Sequence, residues 1–126
     1  GFGCIGFTGK EIDEMAFLNN LKEIFGANGI RYTKPTGRKI RKVALCGGSG
    51  SGFLKEAIAA GADVFVTADV KYHTFFDADG KILIADIGHY ESEIFSLDIL
   101  KALIIKKFPT FAILFSGLNS NPINYL

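Results

Sequence analysis

The chain of 126 residues contains no tryptophan, only three prolines and only two cysteines, and it has almost no net charge. Cys4 and Cys46 are too few and too widely spaced for a disulfide framework or a zinc ribbon. We therefore predict that both thiols are reduced and buried, as is usual for a protein of the cytoplasm. No apolar run approaches the roughly 18 residues that a membrane-spanning helix needs, so we expect neither a membrane span nor a secretory signal.

The charges are balanced, with 14 basic and 13 acidic residues and a net charge of +1. A polyanion would find no overall positive field to follow, so a nucleic-acid partner is not expected. One basic stretch, residues 34–42, is the local exception and could contact phosphates. Short charged runs of this kind are more often solvated loops, and we interpret this one as a loop that leads into a strand.

Hydrophobic residues make up 48% of the chain and charged residues 21%. This composition excludes a disordered or acidic-tail protein, and the length fits a single domain over residues 1–126. Twelve phenylalanines are an unusual number for this length. They predict either a dense core or an apolar surface that a partner covers, and composition does not separate the two.

Short apolar strands alternate with helical patterns along the chain. "DVFVTADV", residues 63–70, is apolar throughout, which is typical of a strand buried on both faces of a parallel sheet. The alternation predicts an α/β lobe with a mixed, largely parallel sheet flanked by helices. The predicted strands cover residues 2–7, 30–33, 40–46, 63–70, 81–88 and 111–115, and the predicted helices cover residues 10–26, 53–60 and 90–108.

Ligands of open α/β sheets bind at the carboxyl ends of the strands. Two histidines follow apolar strands there, each four residues from an acid: Asp69 precedes His73, and His89 precedes Glu93. Residues at this spacing lie on one face of a helical turn, so an imidazole and a carboxylate could bind the same ion. The alternative is a solvated helix start in which the carboxylate complements the helix dipole.

The loop Gly47–Gly52 follows a strand and precedes a helix, which is the arrangement that presents backbone N–H groups to a phosphate. It lacks the Lys and Ser or Thr of a Walker loop, and its glycine spacing does not match a dinucleotide fingerprint. Asp69 does lie about where a ribose-binding acid would lie, some 20 residues further on. Nucleotide or dinucleotide binding at this loop therefore stays an alternative, beside a tight turn that only glycine permits.

The segment from residue 67 to 93, "TADVKYHTFFDADGKILIADIGHYESE", closely resembles the C-terminal signature of the Ngg-interacting-factor-like dinuclear metal-centre family, whose members often carry the name GTP cyclohydrolase I type 2. The strand and glycine turn at residues 43–52, the opening glycine pattern and the closing "NPINY" at residues 121–125 also resemble this family. The resemblance covers nearly the whole chain.

The resemblance implies a protein that binds two divalent ions per full-length chain between two α/β lobes and that often assembles into hexameric rings. Zinc, iron and manganese are not distinguished. His89 and Glu93 match metal ligands of the family, and the resemblance implies hydrolase-like chemistry with an unknown substrate and no catalytic residue named. The residues that line the same cleft by analogy are Asp69, Tyr72, His73 and Tyr90.

The sequence departs from the family pattern because it contains no adjacent pair of histidines. The family draws such a pair and an aspartate from an N-terminal lobe. We therefore expect the chain, which opens abruptly on Gly1-Phe-Gly, to be the C-terminal lobe of a two-lobe protein: a half-site that by itself is inactive and binds metal weakly or not at all. The alternative from a different class is a scaffold or protein-interaction module, forming homo-oligomers, in which any metal is structural.

Overall fold

The computed structural model of the chain describes residues 2–126, and Gly1, the first residue of the opening pattern, lies outside them. Its centre is a five-stranded sheet in the order β1-β3-β4-β5-β2. The three inner strands are parallel to one another, and each edge strand is antiparallel to its neighbour. The strands are β1 (Cys4–Asp13), β2 (Arg31–Tyr32), β3 (Lys39–Leu45), β4 (Val64–Thr67) and β5 (Leu83–Asp86).

Helices cover both faces of this sheet, as the alternation of elements predicts. A 3-10 turn, Gly50–Phe53, precedes the second helix. The helices are α1 (Glu14–Phe25), α2 (Leu54–Ala59), α3 (Tyr72–Asp77), α4 (His89–Glu93) and α5 (Ser96–Lys107). The predicted fold class, an α/β lobe with a mixed sheet, is thereby confirmed.

The two core layers follow from the alternation of side chains along each strand. Val64 and Val66 of β4 pack toward α1, together with Phe17 and Leu21 of that helix. Phe65, between them, faces the other way and packs in the layer that contains α2. All four residues of β4 and of β5 are buried, which explains their continuous apolar sequence and fixes where the two strands end.

The first helix begins and ends where its sequence provides caps. Asp13 accepts hydrogen bonds from the N–H groups of Met15 (3.0 Å) and Ala16 (3.4 Å), which have no partner inside the helix. Gly26 ends the helix in the left-handed conformation, at φ 60°, as predicted. The helix starts later than its periodicity indicates because β1 continues as far as Asp13, across an irregularity between Phe7 and Ile12.

Three expectations are corrected by the structure. The helix predicted over residues 90–108 is two helices, α4 and α5. At the break the N–H of Leu97 donates to the carbonyl of Ile94, three residues back, and Phe95 packs edge to face against Phe25. The strand predicted over residues 111–115 is absent, since no strand of residues 2–126 lies beside it to complete a hydrogen-bonded ladder. Cys4 is exposed and Cys46 is partly buried, although both are free thiols as expected.

Within residues 2–126, none of the helices combines the length and the apolar character that crossing a membrane requires.

Candidate functional site

The carboxyl ends of β4 and β5 bring Asp69 and His89 together. The two strands are parallel neighbours, with Thr67 of β4 beside Asp86 of β5, so the loops that follow them leave the sheet at the same edge. Asp69 lies in the first loop with a positive φ of 52°, a backbone conformation that few residues other than glycine adopt. His89 begins α4 after the second loop.

His89 lies between two carboxylates. Its Nδ1 atom is 2.7 Å from Oδ2 of Asp69, and its Nε2 atom is 3.1 Å from Oε2 of Glu93, one turn further along α4. Asp69 also accepts a hydrogen bond of 2.8 Å from the hydroxyl of Ser49. All three members of this cluster, Asp69, His89 and Glu93, are partly exposed to solvent.

The charges of the cluster shift two pKa values in opposite directions. The hydrogen bond from His89, followed by the one from Ser49, lowers the pKa of Asp69 below its usual 3.8. The same contact with Asp69 raises the pKa of His89 above its usual 6.5, and the negative charge of Glu93 adds to this effect. Asp69 is therefore ionised near neutral pH, and the Nδ1–H group of His89 donates a hydrogen bond to its carboxylate.

The glycine loop after β3 packs against this cluster. Gly48 has a φ of 59°, and a Cβ atom at this position would overlap Oε1 of Glu93. The Gly48 N–H donates to the Ser92 hydroxyl (2.8 Å), which in turn donates to the carbonyl of His89 (2.8 Å). Gly48 is thus a glycine both because of its backbone conformation and because α4 approaches it closely.

The same loop does not resemble a phosphate cradle. The N–H of Gly48 is used by Ser92, and the N–H of Gly50 donates to the carbonyl of Gly48 at 2.8 Å. The carboxylate of Glu93 lies where a phosphate would otherwise approach Gly48, and like charges repel. These contacts favour the tight-turn interpretation of Gly47–Gly52 over nucleotide or dinucleotide binding.

A buried carboxylate below the cluster holds both loops in place. Asp86, at the end of β5, is only 4% exposed. It accepts hydrogen bonds from the N–H of Val70 (3.0 Å) and the N–H of Gly88 (3.2 Å), and it forms an ion pair with Arg31 of β2. Because Val70 follows Asp69 and Gly88 precedes His89, one carboxylate fixes the backbone beside both members of the pair.

A second buried carboxylate connects α4 to the C-terminal segment. Glu91 is 5% exposed and accepts a hydrogen bond of 3.2 Å from the side-chain amide of Asn121. Burial raises the pKa of the nearby Tyr125 hydroxyl above its usual 10.0, and the charge of Glu91 acts in the same direction. Glu91 therefore connects α4 to the C-terminal segment through Asn121.

The structure places the sequence-predicted site residues in three different surroundings. Asp69, His89 and Glu93 come together, and Tyr90 lines a cavity next to them. His73 does not join them: its ring packs edge to face against Tyr72, at 5.5 Å between ring centres. Tyr72 lines a different cavity, near Pro35.

The predicted pairing of Asp69 with His73 fails for a geometric reason. α3 begins only at Tyr72, and Asp69 lies before it with a positive φ, so the two residues do not share a helical turn. Asp69 instead pairs with His89, the histidine that follows the neighbouring strand β5. Sequence spacing shows contacts within one turn, whereas this contact depends on the register between β4 and β5.

Sequence reasoning missed the polar residues that support the site. Ser49 and Ser92 occur next to glycines or on a short helix, where serine is common, so neither is conspicuous. Arg31 and Asp86 are 55 residues apart, and only the antiparallel pairing of β2 with β5 brings them together. The one available signal was Asp86, the acid that ends the apolar run of β5. A carboxylate at the end of a buried strand needs a hydrogen-bonding or charged partner.

The donor atoms of the cluster fit only part of a metal site. An imidazole nitrogen and carboxylate oxygens are ligands of zinc, iron and manganese. Residues 2–126 contain no group of three or more His, Cys, Asp or Glu side chains arranged to hold an ion. Since a tightly bound ion usually has three or four protein ligands, His89 and Glu93 provide at most part of such a set.

The comparisons with known proteins identify the family. The description "Duf34/NIF3 (NGG1p interacting factor 3)" matches residues 1–122, and the chain belongs to this family. A "GTP cyclohydrolase 1 type 2 homolog" of Staphylococcus epidermidis is 37% identical over 133 residues, which cover 99% of this chain and 35% of that protein. A homolog of the same name from Staphylococcus aureus is 32% identical over 131 residues, covering 100% of this chain and 36% of that protein.

Solved structures agree with this assignment. A hypothetical protein of Staphylococcus aureus superimposes with a TM-score of 0.90 at 29% identity, covering all of this chain and 43% of the other. A Bacillus cereus protein "related to NIF3" superimposes with a TM-score of 0.86 at 30% identity, covering all of this chain and 36% of the other. The chain thus spans about a third of the length of the curated relatives that it matches along its whole length.

Proposed function

We propose that this chain is the metal-binding lobe of a dinuclear-metal, hydrolase-like protein, in which His89 and Glu93 bind a divalent ion and Asp69 orients the imidazole. The observation that carries the proposal is the separation of 3.1 Å between Nε2 of His89 and Oε2 of Glu93. Two donors that each lie about 2.1 Å from one ion are about 3 Å apart when their bonds are roughly perpendicular. The distance between the two donor atoms is therefore compatible with a shared ion.

The contact with Asp69 supports the same function. A histidine that binds metal through one nitrogen usually donates its other N–H to a carboxylate, which fixes the tautomer and makes the ligand more basic. Asp69 occupies that position at Nδ1, which leaves Nε2 free of its own proton for an ion. Without an ion, the carboxylate of Glu93 faces this nitrogen and favours the charged imidazolium instead.

The remaining ligands would come from the part of the longer relatives that this chain does not span. Such a partner lobe would also cover apolar surface. The side chains of α5 are mostly exposed, including Leu100 at 52% and Leu103 at 59%, and large apolar surfaces of this kind are typical of interfaces. A completed pair of divalent ions would lower the pKa of a bound water and polarise a phosphate or carbonyl group of the substrate.

Paramagnetic broadening by Mn²⁺ tests this proposal, because it detects weak binding to an incomplete site. Amide signals of the uniformly labelled chain are recorded during a titration with Mn²⁺. We expect the amides of residues 47–49, 68–70 and 88–93 to broaden first and Zn²⁺ to reverse the broadening by competition. His89→Ala should abolish this pattern.

His73→Ala is the matched control, since it removes the only other histidine and leaves the cluster intact. The amide signals of His73→Ala should broaden in the same residues as those of the parent chain. Broadening centred on other residues, or equal loss in His73→Ala and His89→Ala, would contradict the assignment of His89 as a ligand.

A second candidate function is a protein-interaction module that assembles through α5. The observation that favours it is the same exposed helix, whose apolar residues point in several directions with few contacts to the sheet. Here the occupant would be a second copy of the chain. Size-exclusion chromatography with light scattering separates the two functions: a stable oligomer without Mn²⁺ binding supports the module, and a monomer with Mn²⁺ binding supports the lobe.

A further inference from the structure

A cavity of about 390 Å³ lies directly beside the cluster of Asp69, His89 and Glu93. This volume lies in the range of small-molecule sites. His89 and Glu93 border the cavity, Ser120 and Asn121 add polar groups from the C-terminal segment, and most of the remaining lining is apolar. The apolar walls are Ile94 and Leu97 on one side and Pro122 and Ile123 on the other.

The C-terminal wall of the cavity is held in place by hydrogen bonds. The side-chain amide of Asn121 donates to the buried Glu91, and its Oδ1 atom accepts from the N–H of Ile123 at 3.1 Å. Tyr125 packs next to Gly29, with ring carbons 3.6 Å from where a glycine Cβ would lie. The wall has no regular secondary structure, yet it is anchored at both of these residues.

We propose that this cavity binds the apolar portion of a small ligand whose oxygen-bearing head is bound at His89 and Glu93, an inference that rests on the metal-binding function proposed above. An apolar ring gains free energy by leaving water for the walls of Ile94, Leu97 and Ile123. A polar head at the other end meets the imidazole and the carboxylate, or an ion bound to them. The cavity thus selects an amphipathic ligand, with its two parts in a fixed order.

A larger cavity elsewhere in the chain does not have this arrangement. It measures about 990 Å³ and lies between α2 and α3, lined by residues such as Lys55 and Asp77. None of Asp69, His89 and Glu93 borders it. The cavity of about 390 Å³, in contrast, joins an apolar surface to His89 and Glu93 of the cluster.

Two hydroxamates that differ by one ring test the inference. Benzohydroxamate and acetohydroxamate present the same metal-binding head, and only the first carries a phenyl group. Both are titrated into the chain with Zn²⁺ and followed by amide chemical shifts. We expect benzohydroxamate to bind about tenfold more tightly, as burial of part of a ring provides, with shifts at Ile94, Leu97 and Ile123.

Three variants locate the ring. Leu97→Asp places a charge in the wall, and Asn121→Ala releases the C-terminal wall from Glu91. In each variant the ratio of the benzohydroxamate affinity to the acetohydroxamate affinity should fall from about ten to about one. Leu100→Asp makes the same change on α5, outside the cavity, and should keep the preference. Loss of the preference in Leu100→Asp as well would place the ring on the exposed face of α5 and overturn the inference.

The outcomes separate this inference from the proposed function. Equal binding of the two hydroxamates in the presence of Zn²⁺, or binding of neither while Zn²⁺ still binds at His89, overturns the inference alone. Absence of Zn²⁺ binding at His89 overturns the proposed function and this inference with it.

Discussion

The Nδ1 atom of His89 lies 2.7 Å from Oδ2 of Asp69, and this contact joins the loops that follow two neighbouring parallel strands. Neither residue belongs to the other's helix or turn. Their meeting depends on the register of β4 and β5 and on the buried Asp86 that holds both loops. The contact is the part of the site that depends on the tertiary fold.

The Asp69 contact should make His89 titrate at a higher pH. In metal-free protein we expect the pKa of His89 to lie above 6.5, and Asp69→Asn should lower it because the charge that stabilises the imidazolium is lost. Proton–carbon NMR of the imidazole against pH measures this. Asp79→Asn, which removes a carboxylate paired with Lys81 instead, should leave the titration unchanged.

The sign of the associated stability follows from linkage. A histidine whose pKa is raised on folding stabilises the folded state fully below its unfolded pKa of about 6.5, and this contribution is lost as the pH rises through the folded pKa. Its size is small because both side chains are nearly half exposed. An unchanged His89 titration in Asp69→Asn would contradict the role given to Asp69.

Gly48→Ala should disturb Glu93 and destabilise the chain. The added Cβ overlaps the Glu93 carboxylate, and a residue other than glycine at a φ of 59° adds about 1 kcal/mol of strain. We expect urea denaturation to show a lower free energy of unfolding, together with weaker Mn²⁺ broadening. Gly52→Ala is the control: its Cβ meets nothing within 4 Å, and we expect the stability of that variant to stay close to that of the parent.

Glu14→Gln should destabilise the fold without affecting the site. The buried carboxylate of Glu14 accepts three hydrogen bonds, from the N–H and hydroxyl of Thr36 (both 2.8 Å) and the N–H of Gly37 (2.9 Å). The side-chain NH₂ group of Gln would face an N–H or O–H donor of Thr36 or Gly37. We expect this to lower the free energy of unfolding, measured by urea denaturation, by about 1–3 kcal/mol. Glu11→Gln is the control, because Glu11 is an exposed acid on β1. An equal fall in the free energy of unfolding of this variant would contradict the role given to the hydrogen bonds of Glu14.

Charges on α5 should reduce self-association and leave thermal stability almost unchanged. Leu100 and Leu103 are more than half exposed, so replacing both by Asp removes apolar surface without opening a cavity. Light scattering over a range of concentrations measures the association. Lys106→Asp and Lys107→Asp together introduce negative charge at the end of the same helix without removing a large apolar side chain, and an equal effect there would identify net charge as the cause.

The sequence predicted the inner part of the fold well. Continuous apolar runs identified β4 and β5 because both faces of these strands are buried, and Gly26 marked the end of α1. It predicted that His89 and Glu93 face each other, since this contact lies within one helical turn. Local patterns are sufficient for features of this kind.

Contacts between segments that are distant in the sequence were harder to predict. Residues 111–115 have the composition of a strand, but strand formation depends on a neighbouring strand, which the described residues do not supply. His73 has the same spacing from an acid as His89 has, yet the left-handed backbone at Asp69 turns that acid toward the other histidine. Sequence spacing alone gave both histidines equal weight.

The pairing of β2 with β5 implies that the site depends on an edge of the sheet that opens readily. β2 contains only Arg31 and Tyr32, and short edge strands separate from a sheet at a lower free energy than the inner strands do. When β2 detaches, Asp86 loses its cation, and the hydrogen bonds to Val70 and Gly88 weaken together. Amide hydrogen exchange at these two residues should therefore follow the opening of β2. The stability of this edge strand then determines how rigidly His89 and Asp69 are held.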